Sequence, residues 1–183
     1  MARPGRLVGV VGPSGVGKDS VMSAVAAARP GIFLVRRVIT RQADAGGEDF
    51  EAVSEPEFAR RQAAGGFLLS WQAHGLHYGI PQGLSARLAK GEDALVNLSR
   101  SVLQEAQAKF PGFRTLLLTA PVPVLAERLA ERGRESAEEI EGRLARAGFA
   151  LPDGIRADVV ENAGALEDTV AQVLRRLDEA PVE

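Results

Sequence analysis

The chain has 183 residues, 45% of them hydrophobic, with a formal charge of −2, two His and no Cys. That length and apolar content suit one domain with a sizeable core and a small inserted lobe, while the absence of cysteine excludes disulfides, catalytic thiols and thiolate metal sites, and two histidines leave little for an imidazole cluster. The near-neutral charge gives no global attraction to nucleic acid or an anionic membrane, so basic groups must act locally; most are Arg, since Lys occurs only as Lys18, Lys90 and Lys109.

The apolar, β-branched run Leu7–Val11 predicts a first strand. It is far shorter than the roughly 20 residues of a membrane span and leads straight into a glycine-rich loop, so it reads as a strand and not a signal peptide, and the protein as cytoplasmic. The loop is Gly12-Pro13-Ser14-Gly15-Val16-Gly17-Lys18, the G-x-x-x-x-G-K core of a phosphate-binding loop. A triphosphate needs many donors at close range, which consecutive backbone N–H groups supply where glycines keep side chains away. The following helix, predicted over Lys18–Arg29 and ended by Pro30-Gly31, adds its positive N-terminal end, and Lys18 reaches the outer phosphates. Where Ser or Thr normally offers a hydroxyl to Mg²⁺, this chain has Asp19 with Ser20 behind it. Either Asp19 is a direct or water-mediated Mg²⁺ ligand, or it favours the helix N-terminus while Ser20 substitutes. Any metal should arrive with the nucleotide.

Further apolar runs at Phe33–Val38, Ala94–Leu98, Phe113–Thr119 and Ala157–Val160 alternate with helical periodicity, the pattern of an α/β fold with a buried five-stranded parallel sheet flanked by helices. Ser54 with Glu57, and Ser136 with Glu139, are capping-box signals that open two of those helices. Between the second and third runs the texture changes to Gly46-Gly47, Gly65–Trp71 and Leu76–Gly79, a small lobe with short strands of its own. The expected division is a core of 1–38, 81–127 and 149–183, an acceptor-binding lobe of about 39–80, and a lid of about 128–148. In the lid segment Arg128, Arg132, Arg134, Arg143 and Arg146 interleave with glutamates. That suits a solvated helical hairpin laced with ion pairs, or a moving lid whose Arg132-Gly133-Arg134 break swings guanidinium groups onto a transferring phosphoryl group.

Phosphate loops serve switches, motors and kinases. No Asn-Lys-x-Asp guanine motif is present, and the central run ends Val96-Asn97-Leu98-Ser99 without the acid that an ATPase motor needs. A small-molecule kinase that encloses two substrates and excludes water fits better.

Together with Thr40-Arg41, Val53-Ser54-x-x-Glu57-Phe58, Gly66-Phe67, Tyr78-Gly79 and Arg128-Leu129…Arg132-Gly133…Ile140…Arg143-Leu144, the loop makes nearly the whole chain resemble the guanylate kinase superfamily. The resemblance implies a P-loop kinase fold, Arg41 on an acceptor phosphate, Tyr78 in the acceptor lobe, and Arg132 and Arg143 as catalytic lid arginines beside Lys18. The departures point further. The second phosphate arginine of guanylate kinases is replaced by Gln42-Ala43-Asp44, a lobe tyrosine by Phe50, the guanine-reading Glu falls at about Leu69, and the Asp-x-Asp becomes Asn97-Leu98-Ser99. A guanine edge left unpaired would cost about 1–3 kcal/mol per polar group, which makes GMP a poor acceptor.

Five blocks, Gly17–Ser20, Arg37–Arg41, Asp44–Asp49, Trp71–Pro81 and Val96–Arg100, are similar to the ribose 1,5-bisphosphate phosphokinases of phosphonate utilisation. The resemblance implies ATP plus ribose 1,5-bisphosphate giving 5-phosphoribosyl 1-diphosphate and ADP, with Mg²⁺ as cofactor. Arg41 and Arg100, with Arg37, are candidates for the acceptor phosphates; Asp49, Gln72, His74, His77 and Tyr78 for the hydroxyls. Asn97 is a further substrate candidate or a strand-end hydrogen-bonding residue, Trp71 reads as packing, and Asn162 is a candidate adenine contact. The alternatives are a guanylate or other nucleoside monophosphate kinase and a guanylate kinase-like phosphopeptide-binding module, the latter having no use for a triphosphate loop.

Overall fold

A computed structural model describes residues 3–44, 47–133 and 135–182, so Gly46 and Arg134 of the motifs above lie outside the described residues. In chain order the elements are β1 (Leu7–Val11), α1 (Lys18–Ala28), β2 (Ile32–Leu34), β3 (Val38–Ile39), β4 (Glu51–Ala52), α2 (Glu55–Ala63), β5 (Phe67–Ala73), β6 (Leu76–Pro81), α3 (Leu84–Ala89), β7 (Asp93–Asn97), α4 (Leu103–Lys109), β8 (Arg114–Thr119), α5 (Val122–Ala130), α6 (Ala137–Ala147), β9 (Ala157–Glu161) and α7 (Leu166–Asp178).

Five strands form one parallel sheet in the order β2-β7-β1-β8-β9. β1 lies at its centre, and its five residues are all buried because helices cover both faces. Strand alternation splits the core in two. Leu7 and Val11 join Ala94, Val96 and Leu103 on one face, while Val8 and Val10 join Val21, Val25, Leu116, Leu118 and Val173 of α1, β8 and α7 on the other. This places the loop after β1 at the carboxyl end of the central strand, where open parallel sheets bind ligands.

A second sheet, in the order β4-β3-β6-β5, is built from residues between Val38 and Pro81. Its β5–β6 hairpin turns through His74 and Gly75, both with positive φ, of 52° and 74°. The run Phe33–Val38 is not one strand, as its composition suggests. β2 ends at Leu34, Val35 N–H makes a last bond to Leu95 O at 2.9 Å, and the chain leaves the core so that Val38–Ile39 pairs with Gly79 and Tyr78 instead. The buried Arg37 lies in this break, its guanidinium donating to Glu48 and to the Asn97 carbonyl.

Both capping serines act as predicted, but only one closes a full box. Ser136 Oγ accepts from Glu139 N–H while Glu139 accepts from Ser136 N–H. Ser54 Oγ accepts from Glu57 N–H, yet the Glu57 carboxylate accepts from Arg60 and Arg61, charged donors that outcompete a backbone amide. The α1 helix stops at Ala28, with Arg29 as its C-cap. Among the described residues, no helix is long and apolar enough to cross a membrane.

Candidate active site

The turn from β1 into α1 is a cradle because two of its residues adopt conformations closed to other side chains. Gly15 and Gly17 have φ of 83° and 91°, and a Cβ on Gly17 would lie 2.8 Å from Asn162 Nδ2. Gly17 is also the N-cap of α1 and supplies no side chain to its first turn, so those N–H groups are left to an anion. Lys18 Nζ donates to Gly12 O at 2.9 Å, which folds the ammonium back over the loop. Burial holds the Lys18 pKa below its ordinary value, partly countered by Asp19 and Glu48 and reinforced by Arg37.

Gly12, Pro13, Ser14 and Lys18 form one wall of a cavity of about 440 Å³. The second sheet supplies the facing wall with Trp71, Ala73, His74 and Tyr78, and Asn97 to Arg100 close the floor. Trp71 and Tyr78 are register partners across the hairpin, their rings 5.3 Å apart and within 6° of parallel. The Arg37 guanidinium caps this stack, 4.8 Å from the Tyr78 centroid, while it ion-pairs with Glu48 and donates to Asn97 O. Arg37 thus reaches the cavity with much of its donor capacity spent on protein. Arg100 donates to Ala150 O at 3.0 Å and lies 4.0 Å from the Phe149 centroid, which ties the cavity floor to the segment after α6.

Strand alternation decides which other candidates share this cavity. Trp71 and Ala73 face it, so Gln72 between them is exposed on the opposite side; Tyr78 faces it, so His77 turns away and packs against Phe58 at 5.4 Å. Arg41 lies over the Phe50 ring at 4.3 Å and is not on the cavity wall. Asp49 is exposed and pairs with Arg36 at 3.1 Å. With Asp19, Ser20, Glu48 and Asn97 it lines a neighbouring cleft of about 410 Å³ beside α1. Of the arginines in the lid segment, Arg128 donates to Val16 O of the loop at 3.3 Å, whereas neither Arg132 nor Arg143 lines the cavity. Arg132 is exposed, and Arg143, half exposed, pairs with Glu135 at 3.2 Å; the α6 region lends Leu144, Gly148 and Phe149 to the cavity instead.

Asn162, the candidate adenine contact, lies behind the loop. It is buried and spends its amide on Val16 O and on the Thr169 hydroxyl, because the end of β9 runs directly behind the loop. Sequence reasoning missed Glu48, which stands eleven residues from Arg37, a spacing that no local periodicity links; it also missed Phe149, whose partner Arg100 is 49 residues away.

The oxygen-rich donor set beside Lys18 suits Mg²⁺, with the Asp19 carboxylate and Ser20 hydroxyl exposed on the first turn of α1. Among the described residues no group of three or more His, Asp or Glu side chains is arranged to hold a metal. An ion there would keep water and phosphate ligands.

A glycine cradle on the central strand of a parallel sheet, facing a second small sheet and a helical hairpin, defines a P-loop kinase. A guanylate kinase from Anaplasma phagocytophilum shares the fold with a TM-score of 0.68 over 97% of this chain and 86% of that one, at 19% identity. The chain belongs to the ribose 1,5-bisphosphate phosphokinase family. It is 52% identical to ribose 1,5-bisphosphate phosphokinase PhnN of Ruegeria sp. (strain TM1040) over 92% of this chain and 89% of that protein. It is 47% identical to the protein of that name from Pseudomonas fluorescens (strain SBW25) over 95% of each chain. No protein-family model matches the chain.

Proposed function

We propose that this chain transfers the γ-phosphoryl group of ATP to the anomeric phosphate of ribose 1,5-bisphosphate, giving 5-phosphoribosyl 1-diphosphate and ADP in the cytoplasm. The observation that carries this reading is the single cavity in which Lys18 and the loop face Arg37, His74, Tyr78 and Arg100, a cationic and hydroxyl-binding wall for a sugar with two phosphates. An oxygen of the acceptor phosphate attacks the γ-phosphorus, a new P–O bond forms, and the bond to the β-phosphate oxygen breaks as ADP leaves. The acceptor is already largely dianionic at neutral pH, with a second pKa of about 6, so it needs no strong general base.

What it needs is alignment and charge neutralisation. Loop N–H groups and Lys18 hold the β- and γ-phosphates, and Arg132 and Arg143 reach the transferring group when α6 closes. Asp19 or Ser20 would hold Mg²⁺, which when bound offsets charge on the β- and γ-oxygens. The acceptor lobe of about 39–80 positions the sugar through His74 and Tyr78, and Arg100 holds a terminal phosphate. The position matching the guanine-reading Glu, about Leu69, is 1% exposed in the core, which argues against a nucleobase acceptor.

Purified protein with ATP and Mg²⁺ tests this reading by ADP release and by detection of a new diphosphate in ³¹P spectra. Ribose 1,5-bisphosphate should be turned over and GMP should not; faster turnover of GMP would overturn the assignment.

A further inference from the structure

A phosphate loop works only if its N–H groups point at the phosphates, and at Val16–Gly17 its own bonds hold Val16 N–H to Pro13 O at 3.2 Å and Gly17 O to Val21 N–H at 3.1 Å but leave the peptide between them to other partners. Gly17 carries no side chain and sits at a φ of 91°, in a region where glycine is free to turn. The orientation comes from outside. Val16 O accepts from Asn162 Nδ2 at 2.8 Å and from Arg128 Nη1 at 3.3 Å. Arg128 Nη2 donates in turn to Asn162 O at 2.8 Å. Val16 O can only accept, so it fixes the amide with its nitrogen toward the loop, and Thr169 Oγ donates to the remaining Asn162 Oδ1 at 2.8 Å. Asn162 is 7% exposed and Thr169 1%, so bulk water cannot replace these bonds.

In a trans peptide the C=O and N–H point in opposite directions. Holding Val16 O against the end of β9 therefore turns Gly17 N–H away from Asn162, toward the interior of the loop. We infer that Asn162, anchored by Thr169 and seconded by Arg128, is a positioning residue that aims the phosphate loop at the nucleotide. Elements far from the loop in sequence meet it here: Arg128 lies in the last turn of α5, at the root of the lid, and Thr169 in the first turn of α7. The brace acts on phosphates and is indifferent to the base. The inference rests on the loop being the ATP site, as proposed above.

The test measures ADP and GDP binding by calorimetry, KM for ATP and for the acceptor, and thermal melts, in wild type, Asn162→Leu, Thr169→Val and Thr169→Ser. Loss of a buried donor predicts that Asn162→Leu weakens ADP and GDP binding alike, each by about 10–100-fold, and raises the ATP KM to match while the acceptor KM moves less than about twofold. Thr169→Val, nearly isosteric, should give a smaller loss of about 3–10-fold, and Thr169→Ser should restore it; this pair keeps the test open if Asn162→Leu does not fold. Weakened ADP binding with GDP unchanged would make Asn162 a base reader and overturn the inference. So would lowered melting temperatures with unchanged affinities in the folded variants. Wild-type protein that binds neither nucleotide would overturn the ATP-site reading as well, whereas normal binding by both Asn162→Leu and Thr169→Val overturns the brace alone.

Discussion

At Lys18 a single ammonium is half-buried against the loop it serves, and its depressed pKa has a functional consequence. The charged form is the one that meets phosphates, so ATP affinity should fall as pH rises through that lowered pKa, earlier than for a solvated lysine. Calorimetric titrations across the alkaline range would show it. Lys18→Ala should leave the melting temperature unchanged and cut turnover by roughly 10²–10³-fold, the scale of losing one electrostatic group at the reacting centre. Near-normal turnover would remove the phosphate-loop mechanism. Asp19, exposed one residue on, separates two roles. If its carboxylate joins the Mg²⁺ shell, Asp19→Asn raises the metal concentration needed for half-maximal activity and Asp19→Ser recovers part of the loss. If it only favours the α1 N-terminus, both variants lose about 0.3–1 kcal/mol of stability with unchanged metal dependence.

Two helices show how differently this fold treats arginine. The α6 hairpin wears its guanidinium groups on the surface, with Arg143 half exposed and paired to Glu135, an arrangement that contributes little to stability and leaves the group available to move. Arg132→Ala and Arg143→Ala should therefore lower kcat by roughly 10²-fold or more while nucleotide affinity stays nearly constant; an effect confined to the ATP KM would return the hairpin to a solvated face. Arg114 is the opposite case. Its guanidinium pairs with Asp158 at 2.7 Å, is almost fully buried, and caps the carboxyl end of α7 through Arg176 O, Leu177 O and Glu179 O. Asp158→Ala strands that charge, and should cost about 3–5 kcal/mol, a fall in melting temperature of roughly 6–20 °C. A shift below about 2 °C would mean that the helix carbonyls alone satisfy Arg114.

Across the whole molecule, acid stability follows from carboxylates held by arginines, some near in sequence and some far. Asp93 at the start of β7 accepts Arg6 N–H at 2.7 Å and the Arg6 guanidinium at 3.2 Å, with Arg3 beside it at 3.3 Å. Burial raises the Asp93 pKa, but these donors outweigh it and hold the carboxyl below its ordinary value. Glu51, Glu92 and Asp178 are lowered by Arg61, Arg87 and Arg29, and Glu57 falls to about 2 through Arg60 and Arg61. A depressed folded pKa means stability that is complete above the unfolded value of about 4 and is lost as pH falls through the folded one. Melts between pH 7 and pH 2 should be nearly flat above about pH 5 and then decline. Asp93→Asn should cost about 1–2 kcal/mol at neutral pH and flatten part of that decline; an unchanged acid limb would exclude Asp93 as a contributor.

Residues 12 to 18, the parallel sheet and the starts of α1, α2 and α6 were legible from the chain because each depends on local spacing: glycines where φ must be positive, β-branched runs for buried strands, a capping serine three residues before glutamate. So was the phosphate ligand, since the loop chemistry is contiguous; the kinase class came from motifs spread along the whole chain and the family they resemble. What the local pattern could not decide was which side of a short strand faces the cavity. That choice sends Tyr78 to the site and His77 to Phe58, and depends on the pairing of β5 with β6. Nor could it show that Arg37 leaves the sheet to meet Glu48, or that Asn162 donates to Val16 O in the loop. A backbone conformation is specified by neighbours in sequence, but the partner of a buried polar side chain is selected by whatever the completed fold brings within hydrogen-bonding distance.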